Sequence, residues 1–133
     1  EIIMVGDTIS NLIISLKNAQ KARHNEVVFS YSNMNLAILE VLKKEGFIAD
    51  IEKSGKDLKK KLIVSLKYED GAPAITDVKR ISKQSKRTYT GYKDIKSVRN
   101  GYGITVLSTP AGVLSNKQAA KSKVGGEILF TMW

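Results

Sequence analysis

Two adjacent hydroxyls, Ser108 and Thr109, close the apolar run Ile104–Leu107, and Gly125-Gly126-Glu127 precedes a final apolar run. Hydroxyls and backbone N–H groups at a strand end beside a helix start suit an anion, a phosphate above all. Thr109-Pro110-Ala111-Gly112 fits a turn with proline second and glycine fourth, and proline keeps Thr109 extended, so the hydroxyls are expected at a rim. Truncating both is expected to weaken ligand binding and leave the fold intact. Ser115 with Gln118 three residues on has capping-box form, which predicts a short basic helix through Lys117, Lys121 and Lys123 with its positive end near the turn. Gly125 and Gly126 either admit a nucleic-acid backbone or base edge, or simply join helix to strand. Glu127 can accept from sugar hydroxyls or base amino groups, orient nearby lysines, or serve as an ordinary surface carboxylate.

A second cluster surrounds Lys83. Arg87-Thr88-Tyr89-Thr90-Gly91-Tyr92-Lys93 interleaves cations and aromatics behind the basic loop 82–86, so Lys83 and Arg87 read as phosphate contacts. Tyr89 can stack on an unpaired base or fill a half-buried core position. Lys43-Lys44 and Lys59-Lys60-Lys61 read as solvated faces and receive no site. Catalysis finds no support: there is no cysteine, one histidine (His24), no P-loop or nucleophile elbow, and no pairing among Asp77, Asp94 and Glu127. Neither a metal nor a cofactor is expected.

Charge names the class of partner. Net charge is +9, and it is uneven: residues 1–71 carry 11 Lys and Arg against 10 Asp and Glu, whereas residues 72–133 carry 11 against 3. A polyanion gains from that density because neutralised phosphates release counterions, and nucleic acid leads the candidates. No apolar run nears the ~20 residues of a bilayer span, and Glu1–Val5 lacks the form of a signal peptide, so a cytoplasmic protein with no membrane partner is expected.

These residues need elements to position them. Ile9, Leu12, Ile13, Leu16 and Ala19 predict a helix over 8–22 capped by Asp7, and Ser32 caps a second whose stop is Gly46. Strands are predicted at 26–29, 47–51, 62–68, 75–81, 87–92, 104–109 and 127–133, with a turn at Ser54–Asp57 and one helical turn within 94–99. The fold class is α+β in two small lobes: an N-terminal α-β-α-β-β lobe, residues 1–71, and a mostly β, basic C-terminal lobe with a short helix, residues 72–133. Asp70-Gly71-Ala72-Pro73 marks the boundary.

The stretch Gly103–Val113, with Gly125-Gly126-Glu127-Ile128 after the helix, resembles the signature of the small-subunit ribosomal protein numbered eight, bacterial type. Asn18-Ala19, Lys43–Ile48, Lys79–Lys83 and Arg87-Thr88-Tyr89 follow in family order. The resemblance implies a two-lobe α+β protein of the ribosome that binds the central domain of small-subunit ribosomal RNA directly and helps organise its assembly among neighbouring ribosomal proteins. It implies RNA contacts at Ser108, Thr109, Gly112, Gly125, Gly126 and Glu127. Pro110 and Ala111 replace a hydroxyl and a basic residue usual in that turn, Gln84-Ser85 replaces a Pro-Gly, and Asn33 replaces a lysine. The departures in the turn imply either a lower affinity or compensation by a neighbour such as Lys117, and Asn33 weakens the case for an RNA contact from the N-terminal lobe. Two other functions fit the residues: a translational regulator binding its own messenger RNA through a mimic of the ribosomal site, and a basic module docking an acidic protein.

Overall fold

The computed structural model describes residues 8–56, 59–83 and 85–133. Helix α1 (Thr8–Lys21) buries Leu12, Ile13, Leu16 and Ala19, the stripe that its 3.6-residue period lines up. Its expected cap, Asp7, lies outside the described residues. Strand β1 (Glu26–Ser30) leads to Ser32, whose hydroxyl accepts the Asn35 N–H at 3.0 Å and starts α2 (Asn33–Lys44). Beyond α2, Gly46 turns the chain with φ +87°, a conformation that favours glycine.

Strands β2 (Ile48–Ser54) and β3 (Lys61–Leu66) complete an antiparallel sheet of order β1-β3-β2. β2 runs three residues past the expected end, because β3 offers pairing partners as far as Ser54 opposite Lys61 while the polar side chains face water. The predicted strand 62–68 breaks at Lys67. The turn expected at Ser54–Asp57 falls partly outside the described residues at Asp57. Next, β4 (Tyr68–Glu69) pairs with β5 (Ala72–Pro73) across Asp70 and Gly71, whose φ values of +52° and +79° suit a two-residue hairpin.

The second sheet has the order β6-β10-β8-β9, from β6 (Val78–Arg80), β7 (Tyr89–Thr90), β8 (Ile104–Thr109), β9 (Gly112–Ser115) and β10 (Gly126–Met132), with β7 also paired to β10. β10 is the centre: β8 takes one of its edges, and β6 and β7 share the other. Sharing explains why β6 and β7 are shorter than the predicted strands 75–81 and 87–92. Tyr92 leaves the sheet for a 3₁₀ turn, Tyr92–Asp94, and a second 3₁₀ turn at Arg99–Gly101 replaces the helical turn expected within 94–99. β9 was not expected at all. It leads into α3 (Asn116–Ser122), where Ser115 and Gln118 form the expected capping box.

Leu12, Leu16, Ile38, Leu42 and Leu62 share one buried cluster with Ile104, Val106, Phe130 and Met132, so both halves of the chain close the same core. Gln20, 1% exposed, ties them: its Nε2 donates to the Lys67 carbonyl at 2.7 Å and its Oε1 accepts the Ile75 N–H at 2.9 Å.

Candidate functional site

The first residues of β10 gather three distant stretches of sequence. Glu127 stands opposite Ser108 of β8 on one side and opposite Tyr89 of β7 on the other, and Ser108 stands opposite Val113 of β9. Tyr89, Glu127 and Ser108 therefore occupy one cross-strand row. The close fit depends on two glycines. A Cβ on Gly126 would lie 2.1 Å from the Ser108 carbonyl oxygen, and one on Gly125 would lie 2.2 Å from that of Thr90. The protein's own backbone fills the position that a Cβ would take at each glycine, so close strand packing requires the pair, while both residues stay half-buried at the surface.

The two hydroxyls have different roles. Thr109 Oγ1 donates to the Gly112 carbonyl at 2.7 Å and accepts the Ala111 N–H at 3.1 Å, holding the hairpin turn around Pro110. Thr109 is thus part of the scaffold of the turn, and its truncation is expected to touch local stability as well as the rim. Ser108 has no side-chain hydrogen bond among the described residues, so its hydroxyl is available to a ligand. Gly112 is exposed at φ +114° with nothing within 4 Å of a built Cβ, so its need for glycine is conformational.

Glu127 orients a cation. Its side chain is only 15% exposed, and Nη1 of Arg87 lies 3.3 Å from both carboxylate oxygens. That contact uses part of the five-donor guanidinium and leaves the rest outward, since the Arg87 side chain is 56% exposed. Lys83 reaches the same place through Ser82, which is fully buried and closes the basic loop by accepting the Thr88 N–H at 2.9 Å and donating to the Thr88 carbonyl at 3.2 Å. The Ser82 N–H then donates to the Ile128 carbonyl at 3.2 Å, fastening the loop to β10. Gln84 lies outside the described residues.

Lys83, Arg87, Ser108 and Glu127 line one concavity of about 110 Å³, together with Arg80, Ile9, Met34 and Leu129. Arg80 is anchored there, with Nη1 donating to the Leu129 carbonyl at 2.6 Å and Nε to Ser10 Oγ at 3.2 Å. Residue spacing does not reveal Ser82, Arg80, Ile9 or Met34 as neighbours of this site. Ile9 and Met34 look like helix core, and they arrive only because α1 and α2 both begin at this end of the molecule.

Tyr89 is 68% exposed, which overturns the core alternative for that residue. It also borders an apolar cleft of about 470 Å³ with Ile95, Val98, Leu107 and Ile128. Lys117 is not part of the assembly: its Nζ donates to the Gly101 carbonyl at 3.2 Å and lies 3.8 Å from Glu45. The reason is β9, which carries the chain away from the turn before α3 begins. Ser115 stands opposite Val106, and Asn116 Oδ1 accepts the Thr105 N–H at 3.2 Å, so the positive end of α3 lies at the far end of the β8–β9 hairpin. The expectation that this end adjoins Ser108 and Thr109 is therefore corrected.

Among the described residues no three His, Asp or Glu side chains are grouped as metal ligands, and no helix is long and apolar enough to cross a membrane. The family described as Ribosomal protein S8 matches residues 7–133. Small ribosomal subunit protein uS8 of Mycoplasmopsis pulmonis is 42% identical over 130 residues, covering 98% of each chain. Its counterpart from Wolbachia pipientis wMel is 45% identical over 125 residues, or 94% of this chain and 95% of the relative. That of a Synechococcus strain is 40% identical over 131 residues, or 97% and 98%.

Proposed function

Because this chain belongs to the ribosomal protein S8 family, we propose that it is a structural constituent of the small ribosomal subunit, binding ribosomal RNA through the edge made by β7, β8 and β10. It works on the ribosome beside other small-subunit proteins and has no catalytic step. The register of β10 carries this reading: it sets Ser108, Glu127 and Tyr89 in one row, of which Ser108 and Glu127 line a concavity with Arg87 and Lys83.

Lys83 and Arg87 supply salt-dependent attraction to phosphates, and Glu127 aims the guanidinium. Ser108 offers a neutral donor and acceptor for a 2′-hydroxyl or a base edge, which suits a folded RNA duplex whose major groove is too narrow to read. Tyr89 presents an exposed ring for stacking. All of these residues fall within 72–133, the strongly basic half.

The test separates the two hydroxyls. With a central-domain fragment of small-subunit RNA, Ser108→Ala lowers affinity about 5- to 10-fold, the worth of one hydrogen bond, at unchanged thermal stability. Thr109→Ala costs about 1 kcal/mol of stability through the loosened turn. Wild-type affinity for Ser108→Ala, measured by filter retention, removes the hydroxyl from the interface.

A further inference from the structure

The near-neutral balance of residues 1–71 conceals a local surplus: residues 53–61 hold five lysines against a single acid, Asp57. At one end of the first sheet Ser30 and Ser54 flank Lys61 in register, and Lys53, Lys56, Lys59 and Lys60 belong to that end. At the other end Glu26 and Asp50 flank Ser65, and cations and acids balance there, Asp50 meeting Lys43 and Glu69 meeting Lys67. At the lysine end the Lys59 N–H donates to the Lys56 carbonyl at 3.0 Å, and a Cβ on Gly55 would lie 2.3 Å from the Lys59 carbonyl oxygen. None of the five lysines has a carboxylate partner among the described residues, and Lys60 instead places Nζ 4.5 Å from the centre of the Tyr31 ring. Lysines gathered on neighbouring residues repel one another, and a polyanion relieves the repulsion.

This end of the sheet adjoins the edge built by β8 and β10. The Tyr31 N–H donates to the Lys60 carbonyl at 3.1 Å, Ser32 caps α2, and Met34 in the first turn of α2 lines the concavity with Arg87, Ser108 and Glu127. Ser30–Met34, the segment between them, contains no acid. The turn beside Ser108, in contrast, brings no cation at Pro110 or Ala111.

We propose that Lys53, Lys56, Lys59 and Lys60, with Tyr31 holding Lys60, form a second contact surface for the phosphate backbone of the RNA gripped at the β8–β10 edge. This rests on the reading of that edge as RNA-binding. The second surface follows the RNA past the segment that the edge holds, so its contribution grows with RNA length.

The experiment compares three full-length chains: wild type, a triple variant Lys56→Ala, Lys59→Ala and Lys60→Ala, and a control of equal charge, Lys21→Ala, Lys44→Ala and Lys67→Ala, from the opposite end. Each is titrated from 50 to 200 mM salt with a central-domain fragment of small-subunit RNA, and with a shortened duplex limited to the segment that the triple variant Lys56→Ala, Lys59→Ala and Lys60→Ala still protects from chemical probing. On the long fragment the hairpin variant loses about 2.7 from its log–log salt slope, as expected for three phosphates, so its deficit is about 40-fold larger at 50 mM than at 200 mM. On the short duplex its slope matches the wild type, and the arginine version of the triple variant restores the long-fragment slope. A wild-type slope for the hairpin variant on the long fragment overturns the second surface, as does an equal loss in the control. Displacement of the long RNA from the hairpin by an acidic polypeptide at matched charge also overturns it, in favour of a protein partner. Failure of the wild type to bind either RNA overturns the reading of the edge itself.

Discussion

Replacing Gly126 with alanine is the sharpest test of how the edge is assembled. The new Cβ would stand 2.1 Å from the Ser108 carbonyl oxygen, 2.9 Å from its carbonyl carbon and 3.0 Å from the Thr109 Cα, whereas ordinary contact begins at 3.4 Å. All three are backbone atoms, so no rotamer change relieves the clash. β8 and β10 must part by about 1 Å, which stretches ladder bonds between strands normally about 4.8 Å apart. Overpacking of this kind costs about 3 kcal/mol. For a domain of this length that lowers Tm by about 12 °C, at about 4 °C per kcal/mol. Because Ser108 then leaves its register with Glu127, RNA affinity measured well below Tm falls about tenfold. Gly91→Ala provides the contrast: nothing lies within 4 Å of its Cβ position and its φ is −82°, so stability changes by less than about 0.5 kcal/mol. Calorimetry on both variants decides the matter. A wild-type melting temperature for Gly126→Ala would refute the argument that backbone approach builds the edge.

Gln20→Ala leaves the Lys67 carbonyl and the Ile75 N–H unpaired in the interior, costs about 2–4 kcal/mol, and speeds hydrogen exchange at the Ile75 amide; an unchanged exchange rate there contradicts the bridge. Glu127→Gln frees Arg87 to wander, so RNA binding weakens even though a negative charge has been removed; tighter binding would show that Glu127 merely repels phosphate. The Lys17 ammonium, 2.7 Å away, and the Val78 N–H hold the Asp77 carboxyl below the usual carboxylate range, and Lys43 with the Ile51 N–H does the same for Asp50. A carboxyl whose pKa is lowered by folding contributes stability that is complete above its unfolded pKa and is lost as pH falls through its folded value. Both pairs are exposed and the effect is small, so Asp77→Asn should slightly flatten the decline in urea midpoint between about pH 5 and pH 2, and an identical acid limb would discount the pair.

Local signals were legible wherever the physics is local. The apolar stripe of α1, the Ser32 cap of α2 and the capping box at Ser115 each depend on residues within one helical turn, and each has the expected geometry. The end of β8 in a hydroxyl pair and a proline turn was equally clear, since proline constrains its neighbour directly. Charge counted along the chain singled out residues 72–133 as the basic half without any knowledge of the fold.

Composition and periodicity, then, determined the helices, the principal strands and the polyanionic character of the partner, because those follow from side-chain identity and short-range backbone preference. Tertiary structure alone decided which groups meet. Only the partners of β10 show that Gly125 and Gly126 are glycines because Thr90 and Ser108 lie against them. Only the β8–β9 pairing explains why Thr109 holds a turn while Ser108 stays open, and why Lys117 faces Glu45 instead of the edge. The contacts that make the site join residues as far apart as Arg87 and Glu127, and such long-range pairings are selected by the packing of the whole core, which no local window of sequence contains.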